Sequence, residues 1–399
     1  MAELQSRTPA RGKGAGEAST GRFLVASSSS RVSLSTPLCK LLGVRYPLVQ
    51  APMAGGWTTP ELVSAVSNAG GFGSLAGAGV PPEWLREEIR AVRERADGPF
   101  GVNFLLAPPG PGSRDVAATQ RFLDGFRERL GLPPGETELG PQPPSLEEQL
   151  EVVFEERAPV LSVALGDAGE LVERAHAQDM LVMSMVTTVG DAVRAAEGGV
   201  DVVVAQGAEA GGHRSVVELD AGGEAPLVGT LALVPQIVDA VEVPVVAAGG
   251  ISDGRGLVAA LALGAVGAQM GTRFLLARES GAHPAYRRRL LAATEEDTVV
   301  TRVFTGRPAR GLRNRFVEEY LSAGSEPLAW PLQRAAAGDI YGASQAVDDG
   351  DYSPLLAGQG LRMLTEDGQG AAEILEEVVS EAGTVLSRLG GLSPAAPSA

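Results

Sequence analysis

Three histidines occur in the chain of 399 residues. One of them, His213, follows two glycines at the end of an apolar run, "VVVAQGAEAGGHRS", residues 202–215. Imidazole changes charge nearer neutral pH than any other side chain, so a histidine at the end of a buried strand can give or take a proton at a bound molecule. Gly211 and Gly212 lack a Cβ and would let the loop run close beneath a flat ring. Gln206 flanks the same turn, and Glu209 within it reads as a solvated carboxylate. The other two histidines lack such surroundings. His176 falls on an exposed helical face, "ELVERAHAQD", and His283 at a helix start, "ESGAHPAYRRRLL".

Two further apolar runs end in glycine, "VVAAGGISDGRG" (245–256) and "GAVGAQMGTRF" (264–274). Gly249, Gly250, Gly271 and Thr272 can present backbone N–H groups to an anion, with Ala248 and Gln269 on the strands that lead to them. Plain turns would use glycine in the same way. A third run, "VQAPMAGG" (49–56), passes from its strand through Ala51, Pro52, Met53 and Ala54, small enough in part for a ring to lie on the backbone. Asn103 in "GVNFLL" is a polar residue in an apolar strand and needs a partner, which a ligand or a backbone group could supply.

Several chemistries are excluded. The single cysteine, Cys39, permits neither an intrachain disulfide nor a cysteine-based zinc site, and the scattered histidines argue against any metal. There is no Walker A loop and no G-x-S-x-G elbow, and "GGFGSLAG" misses the dinucleotide spacing. A net charge of −16 disfavours nucleic acid and anionic membranes as partners. No run of about 18 apolar residues suggests a membrane span. Residues 1–33 are polar, lack the apolar core of a secretory signal, and are expected to form a disordered extension; a cytoplasmic protein is expected.

The elements that must position these residues are legible as alternation. Strands are expected at 48–52, 72–75, 100–105, 160–165, 181–186, 200–205, 244–248 and 266–270, each a short apolar run suited to burial on both faces. Helices fall between them. Thr59-Pro60-Glu61 is a helix start, and Ser252 or Asp253 can cap another. Eight βα repeats predict an α/β fold, a (β/α)8 TIM barrel, with an open doubly wound sheet as the alternative. The expected barrel comprises 34–275 and 361–390, with a long insertion at 107–150. Residues 276–360 would form a smaller, mainly helical lid after strand eight, and 391–399 a flexible tail.

Taken together, "QAPMAGG", "VSNAGGFGSL", "GVNF", "AQGAEAGGHRS", "AAGGISDGRG", "GAQMGTRF", "FTGRPARGLRNRF" and "LLAGQG" resemble the nitronate monooxygenase family over about residues 37–385. The resemblance implies an FMN-bound barrel closed by a helical domain. It implies that Ala51, Pro52, Met53 and Ala54 border the flavin ring, that Asn103 and Gln206 hydrogen-bond it, and that Gly211 and Gly212 line it. Ala248, Gly249, Gly250, Gln269, Gly271 and Thr272 would complete the cofactor site, and His213 would be the active-site histidine, with a pKa near the working pH. The implied reaction takes an alkyl nitronate and O₂ to a carbonyl compound and nitrite, with neutral nitroalkanes as further substrates.

Arg307 and Arg310 are candidates to attract substrate charge, a structural ion pair being the other reading. Met183, Ser184 and Met185, together with Ser215 where the family often has glycine, leave the substrate open and allow a specialised role in secondary metabolism. An enoyl-thioester reductase or an NAD(P)H:quinone reductase on the same fold is the alternative, and a noncatalytic flavin-binding barrel is a third. A monomer or a homodimer is expected.

Overall fold

The structure, a computed structural model, describes residues 34–108, 112–139 and 144–391. The expected N-terminal extension, 1–33, and residues 392–399 of the expected tail lie outside the described residues. Strands run in chain order as β1 (Leu48–Gln50), β2 (Gly73–Ala76), β3 (Phe100–Leu105), β4 (Val160–Ala164), β5 (Leu181–Val186), β6 (Val202–Gln206), β7 (Gly212–His213), β8 (Val245–Ala248), β9 (Gly267–Met270), β10 (Thr298–Thr301) and β11 (Ala309–Leu312).

Eight of these form one parallel sheet in the order β1-β9-β8-β6-β5-β4-β3-β2. A parallel bridge between Val49 and Phe72 joins its two ends. There the Phe72 N–H donates to Leu48 O and the Gln50 N–H donates to Phe72 O, each at 2.8 Å. The sheet is a (β/α)8 barrel, and its strands are those expected from the apolar runs.

The runs are apolar on both faces because both faces are buried. Val102, Phe104, Leu161, Val163, Val182, Val203, Ala247 and Ala268 pack outward against helices. Val49, Phe72, Val160, Met183, Val202, Val204, Val246 and Ala248 fill the interior. Alternation along each strand produces the two cores from one sequence pattern. Met183 therefore packs inside the barrel. Outside it, Thr59 caps the helix Pro60–Asn68, its side chain accepting from Leu62 N–H at 3.1 Å, and Leu62, Val63 and Val66 are wholly buried. Asp253, not Ser252, caps the helix Gly254–Ala262. No helix among the described residues is long and apolar enough to cross a membrane.

A second core lies outside the barrel. The segment after β9 carries the helices Pro284–Ala292, Arg315–Ser322 and Leu332–Ala346. It also carries β10 and β11, an antiparallel pair that extends to β7. Its Phe304, Phe316, Tyr320 and Tyr341 share one cluster with Leu123 and Phe126 of the helix Val116–Leu130. The rings of Phe126 and Phe316 lie 4.8 Å apart. Arg127, 2% exposed, donates to Asp339 at 2.7 Å and to Ala336 O at 2.7 Å, which ties the same helix to Leu332–Ala346. The helix Val116–Leu130 thus shares one core with the helices Arg315–Ser322 and Leu332–Ala346.

Removing the ring of Phe126 leaves a cavity in that core. Phe126→Ala should lower the unfolding free energy by about 3–5 kcal/mol, read by urea denaturation. A change below about 1 kcal/mol would show that this helix is not held by the shared core.

Candidate active site

The alternation that builds the barrel also aims its polar residues. Val102 and Phe104 face outward, so Asn103 faces in; the same holds for Gln269 between Ala268 and Met270. Gln206 continues the inward series Val202, Val204. Asn103 donates from Nδ2 to Ser162 Oγ at 2.9 Å, its register partner on β4. Ser162 breaks an apolar run in "VLSVA" as Asn103 does in β3, and that signal was available in the sequence.

Gln206 is committed to its own loop. Its Nε2 donates to His213 O at 2.8 Å, and its Oε1 accepts from the Ser215 N–H at 3.0 Å. One amide hydrogen and one lone pair remain for a ligand. Other carbonyls of the turn meet guanidinium groups. Arg214 donates to Gly207 O at 2.7 Å and Gln206 O at 3.1 Å, Arg310 to Ala208 O at 2.8 Å, and Arg307 to Val216 O at 2.6 Å. All three arginines are buried. Burial lowers the pKa of each, that of Arg214 to about 10, so all remain cationic at neutral pH. Arg307 and Arg310 thus bind backbone carbonyls.

Glu209 is not a solvated side chain. Its carboxylate accepts from the Thr230 N–H at 2.8 Å and the Thr230 hydroxyl at 2.7 Å, at the start of the helix Thr230–Val238. A carboxylate there complements the helix dipole. Thr230 Oγ1 also lies 3.0 Å from Gly249 O, so this clasp reaches the next loop.

His213 sits where β7 pairs with β11, with His213 opposite Ala309 and Gly212 opposite Arg310. Its Nε2 lies 2.9 Å from Thr305 Oγ1, and its ring meets Trp330 edge-on at 5.2 Å. Burial, then the charges of Arg307 and Arg334, push its pKa down to about 4. The expected value near the working pH is therefore not what this environment produces: the ring is neutral across the physiological range. Neither Thr305 nor Trp330 stood out in the sequence, because each lies about a hundred residues from His213.

The remaining site residues come together at the C-terminal ends of the strands. The Gly207 N–H donates to Ala248 O at 2.8 Å and the Ala51 N–H to Met270 O at 2.8 Å. Gly249 and Gly250 have φ of +114° and +69°; a Cβ on Gly249 would meet Thr230 Oγ1 at 2.9 Å and Ala210 N at 3.0 Å. A turn with positive φ can present successive N–H groups to an anion such as a phosphate. A Cβ on Gly271 would meet Ala51 Cβ at 3.4 Å and Met53 Sδ at 3.9 Å, so the loops after β1 and β9 abut. The Thr272 hydroxyl accepts from the Gly358 N–H at 3.0 Å, and a Cβ on Gly211 would strike Gly358 N at 2.6 Å. Segment 357–360 therefore closes against both loops. Pro52 is half-buried and Ala54 exposed in the turn after β1, where the Met53 N–H donates to Thr58 Oγ1 at 2.9 Å. Gly212, with φ +84°, has open space around its missing Cβ. The residues present fit a flat ligand with an anionic tail.

His176 pairs with Asp201 at 2.9 Å on the surface, and His283 caps the helix Pro284–Ala292. Neither joins the site.

A barrel with a half-buried imidazole and glycine-rich turns at the carboxyl ends of its strands is an enzyme architecture. A family model for nitronate monooxygenase matches residues 35–381. A probable nitronate monooxygenase of Staphylococcus saprophyticus is 35% identical over 363 residues, covering 90% of this chain and 100% of that protein. One from Staphylococcus aureus is 36% identical over 335 residues, covering 82% and 92%. Among solved structures, nitroalkane oxidase from Streptomyces ansochromogenes superposes with a TM-score of 0.81 at 34% identity, covering 88% of this chain and 99% of that one. FabK from Thermotoga maritima superposes at 0.70 with 29% identity, covering 90% and 99%. The chain belongs to the nitronate monooxygenase family and is an oxidoreductase.

Two outcomes follow from this geometry. The Ser215 hydroxyl donates to Met185 O at 2.6 Å and accepts from the Leu165 N–H at 2.9 Å, which makes it a brace between strand ends. Ser215→Ala should cost about 1–3 kcal/mol in stability and leave substrate preference unchanged; altered preference with unchanged stability would contradict that. The His213 ring, followed by NMR in the ligand-free protein, should titrate near pH 4, and a midpoint at the ordinary value would mean a solvated ring. Because the unfolded imidazole binds its proton more tightly, this residue adds stability above about pH 6.5 that is lost as pH falls toward 4.

Proposed function

We propose that this oxidoreductase binds FMN and oxidises an alkyl nitronate with O₂ to a carbonyl compound and nitrite. The observation that carries the reading is the half-buried His213 imidazole, held by Thr305 and Trp330; burial, then the charges of Arg307 and Arg334, lower its pKa. The positive field of Arg307 and Arg334 favours an anion such as a nitronate over a neutral ligand of the same shape. A neutral ring can also accept the α-proton of an uncharged nitroalkane.

Gly249, Gly250, Gly271 and Thr272 would hold the phosphate. Ala51 and Met53 would border the ring, and Asn103, Gln206 and Gln269 would face it from the barrel. When bound, FMN supplies the electron transfer and the reaction with O₂. The segment 276–360 acts as the lid, since it supplies Thr305 and Trp330 to His213.

A second reading is kept because of the similarity to FabK. An enoyl-thioester reductase or an NAD(P)H:quinone reductase would use the same cradle, with NAD(P)H as hydride donor.

Purified protein loaded with FMN should release nitrite and the matching carbonyl compound from an alkyl nitronate in air. His213→Asn should retain FMN and lose about 10²–10⁴-fold in turnover of the neutral nitroalkane. Unchanged turnover would remove His213 from the mechanism, and failure to bind FMN would remove the cofactor assignment.

A further inference from the structure

The stretch "FTGRPARG" lies outside the barrel, yet it supplies the turn behind His213. Thr305 is 3% exposed, and its Oγ1 lies 2.9 Å from His213 Nε2. Gly306, with φ +87°, is pressed against the 328–330 backbone, where a Cβ would meet Trp330 N at 2.5 Å. The turn is therefore held from behind by the segment that also places Trp330 edge-on to the imidazole.

One arrangement of the Thr305 hydrogen pairs all three of its neighbours. Its Oγ1 lies 3.3 Å from Arg307 O, which can only accept, and 3.4 Å from the Arg307 N–H, which can only donate. A hydroxyl has one hydrogen and two lone pairs. With the hydrogen on the carbonyl and one lone pair on the amide, the second lone pair faces His213. Nε2 must then carry the imidazole hydrogen, and Nδ1 is bare.

We propose that Thr305 is a positioning residue that fixes His213 as the Nε2–H tautomer and leaves Nδ1 as the nitrogen that meets the substrate. The second half rests on the reading of His213 as the catalytic base. It assigns the threonine of this turn a role in proton transfer although it need not touch the substrate. The ring is held at one end by Thr305 and at its edge by Trp330, so the basic nitrogen is presented in one orientation.

The test uses FMN-loaded protein labelled with ¹⁵N-histidine at neutral pH. With three histidines in the chain, loss of one ring signal pair in His213→Asn assigns the wild-type spectrum. The expected result is a protonated Nε2 and an unprotonated Nδ1 at His213. Thr305→Val should give a mixed tautomer signal and an about 3- to 10-fold fall in kcat/KM for a neutral nitroalkane, the worth of one hydrogen bond. Thr305→Ser should restore both. A wild-type ring protonated at Nδ1 overturns the proposal, and that measurement needs no variant to fold. An unchanged spectrum in Thr305→Val overturns it too. If Thr305→Val shifts the tautomer while His213→Asn leaves turnover intact, the tautomer assignment stands and the catalytic reading falls.

Discussion

A buried turn must find partners for its carbonyl groups, and the site depends on how the turn after β6 does so. Gln206 O and Gly207 O are met by Arg214, Ala208 O by Arg310, Val216 O by Arg307 and His213 O by the Gln206 amide. An unpaired carbonyl in such a place is costly, so the guanidinium groups decide which way the loop faces. With its carbonyls turned toward these donors, the loop can bring glycines and an imidazole to the barrel mouth. Three buried cations are themselves expensive, and carbonyl contacts with the field of Glu209 offset that cost for Arg214 and Arg310.

The same arrangement sets the chemistry. Burial of the ring, then the charges of Arg307 and Arg334, lower the His213 pKa to about 4, so the turn combines an uncharged imidazole with a positive field. It also joins the segment after β9 to the barrel, because Arg307 and Arg310 come from the stretch that pairs through β11 with β7. The loop and this part of the segment after β9 are one hydrogen-bonded unit, with the Arg214 N–H donating to Pro308 O at 2.8 Å. The contacts that join this segment to the barrel are the ones that orient the histidine.

Much of the barrel was legible in the sequence because burial on both faces leaves continuous apolar runs, and breaks such as Asn103 and Gln206 mark where the interior becomes polar. The glycines after β8 were legible for a related reason: Gly249 and Gly250 take positive φ, and a Cβ on Gly249 would press on Thr230 and Ala210. What stayed hidden depends on contacts between distant parts of the chain. β7 is two residues long and has no pattern of its own; it exists because β11 lies beside it. Glu209 reads as solvated until the helix at Thr230 is placed next to it. Arg214 and Thr305 lie in stretches that resemble the family, yet their partners, the carbonyls of Gln206 and Gly207 and the His213 ring, appear only when the chain is folded. Ser215 braces the ends of β4 and β5 through Leu165 and Met185, contacts that its local sequence does not announce.

On the proposed function, an anionic nitronate gives its electrons to the flavin at this site. The direct measurement is anaerobic mixing of the FMN-loaded protein with an alkyl nitronate and, separately, with NADPH, while the flavin absorbance is followed. The account predicts that the nitronate bleaches the flavin within the turnover time and that nitrite appears when oxygen is admitted. A flavin untouched by the nitronate and bleached by NADPH would contradict it and give the cradle to the reductase reading.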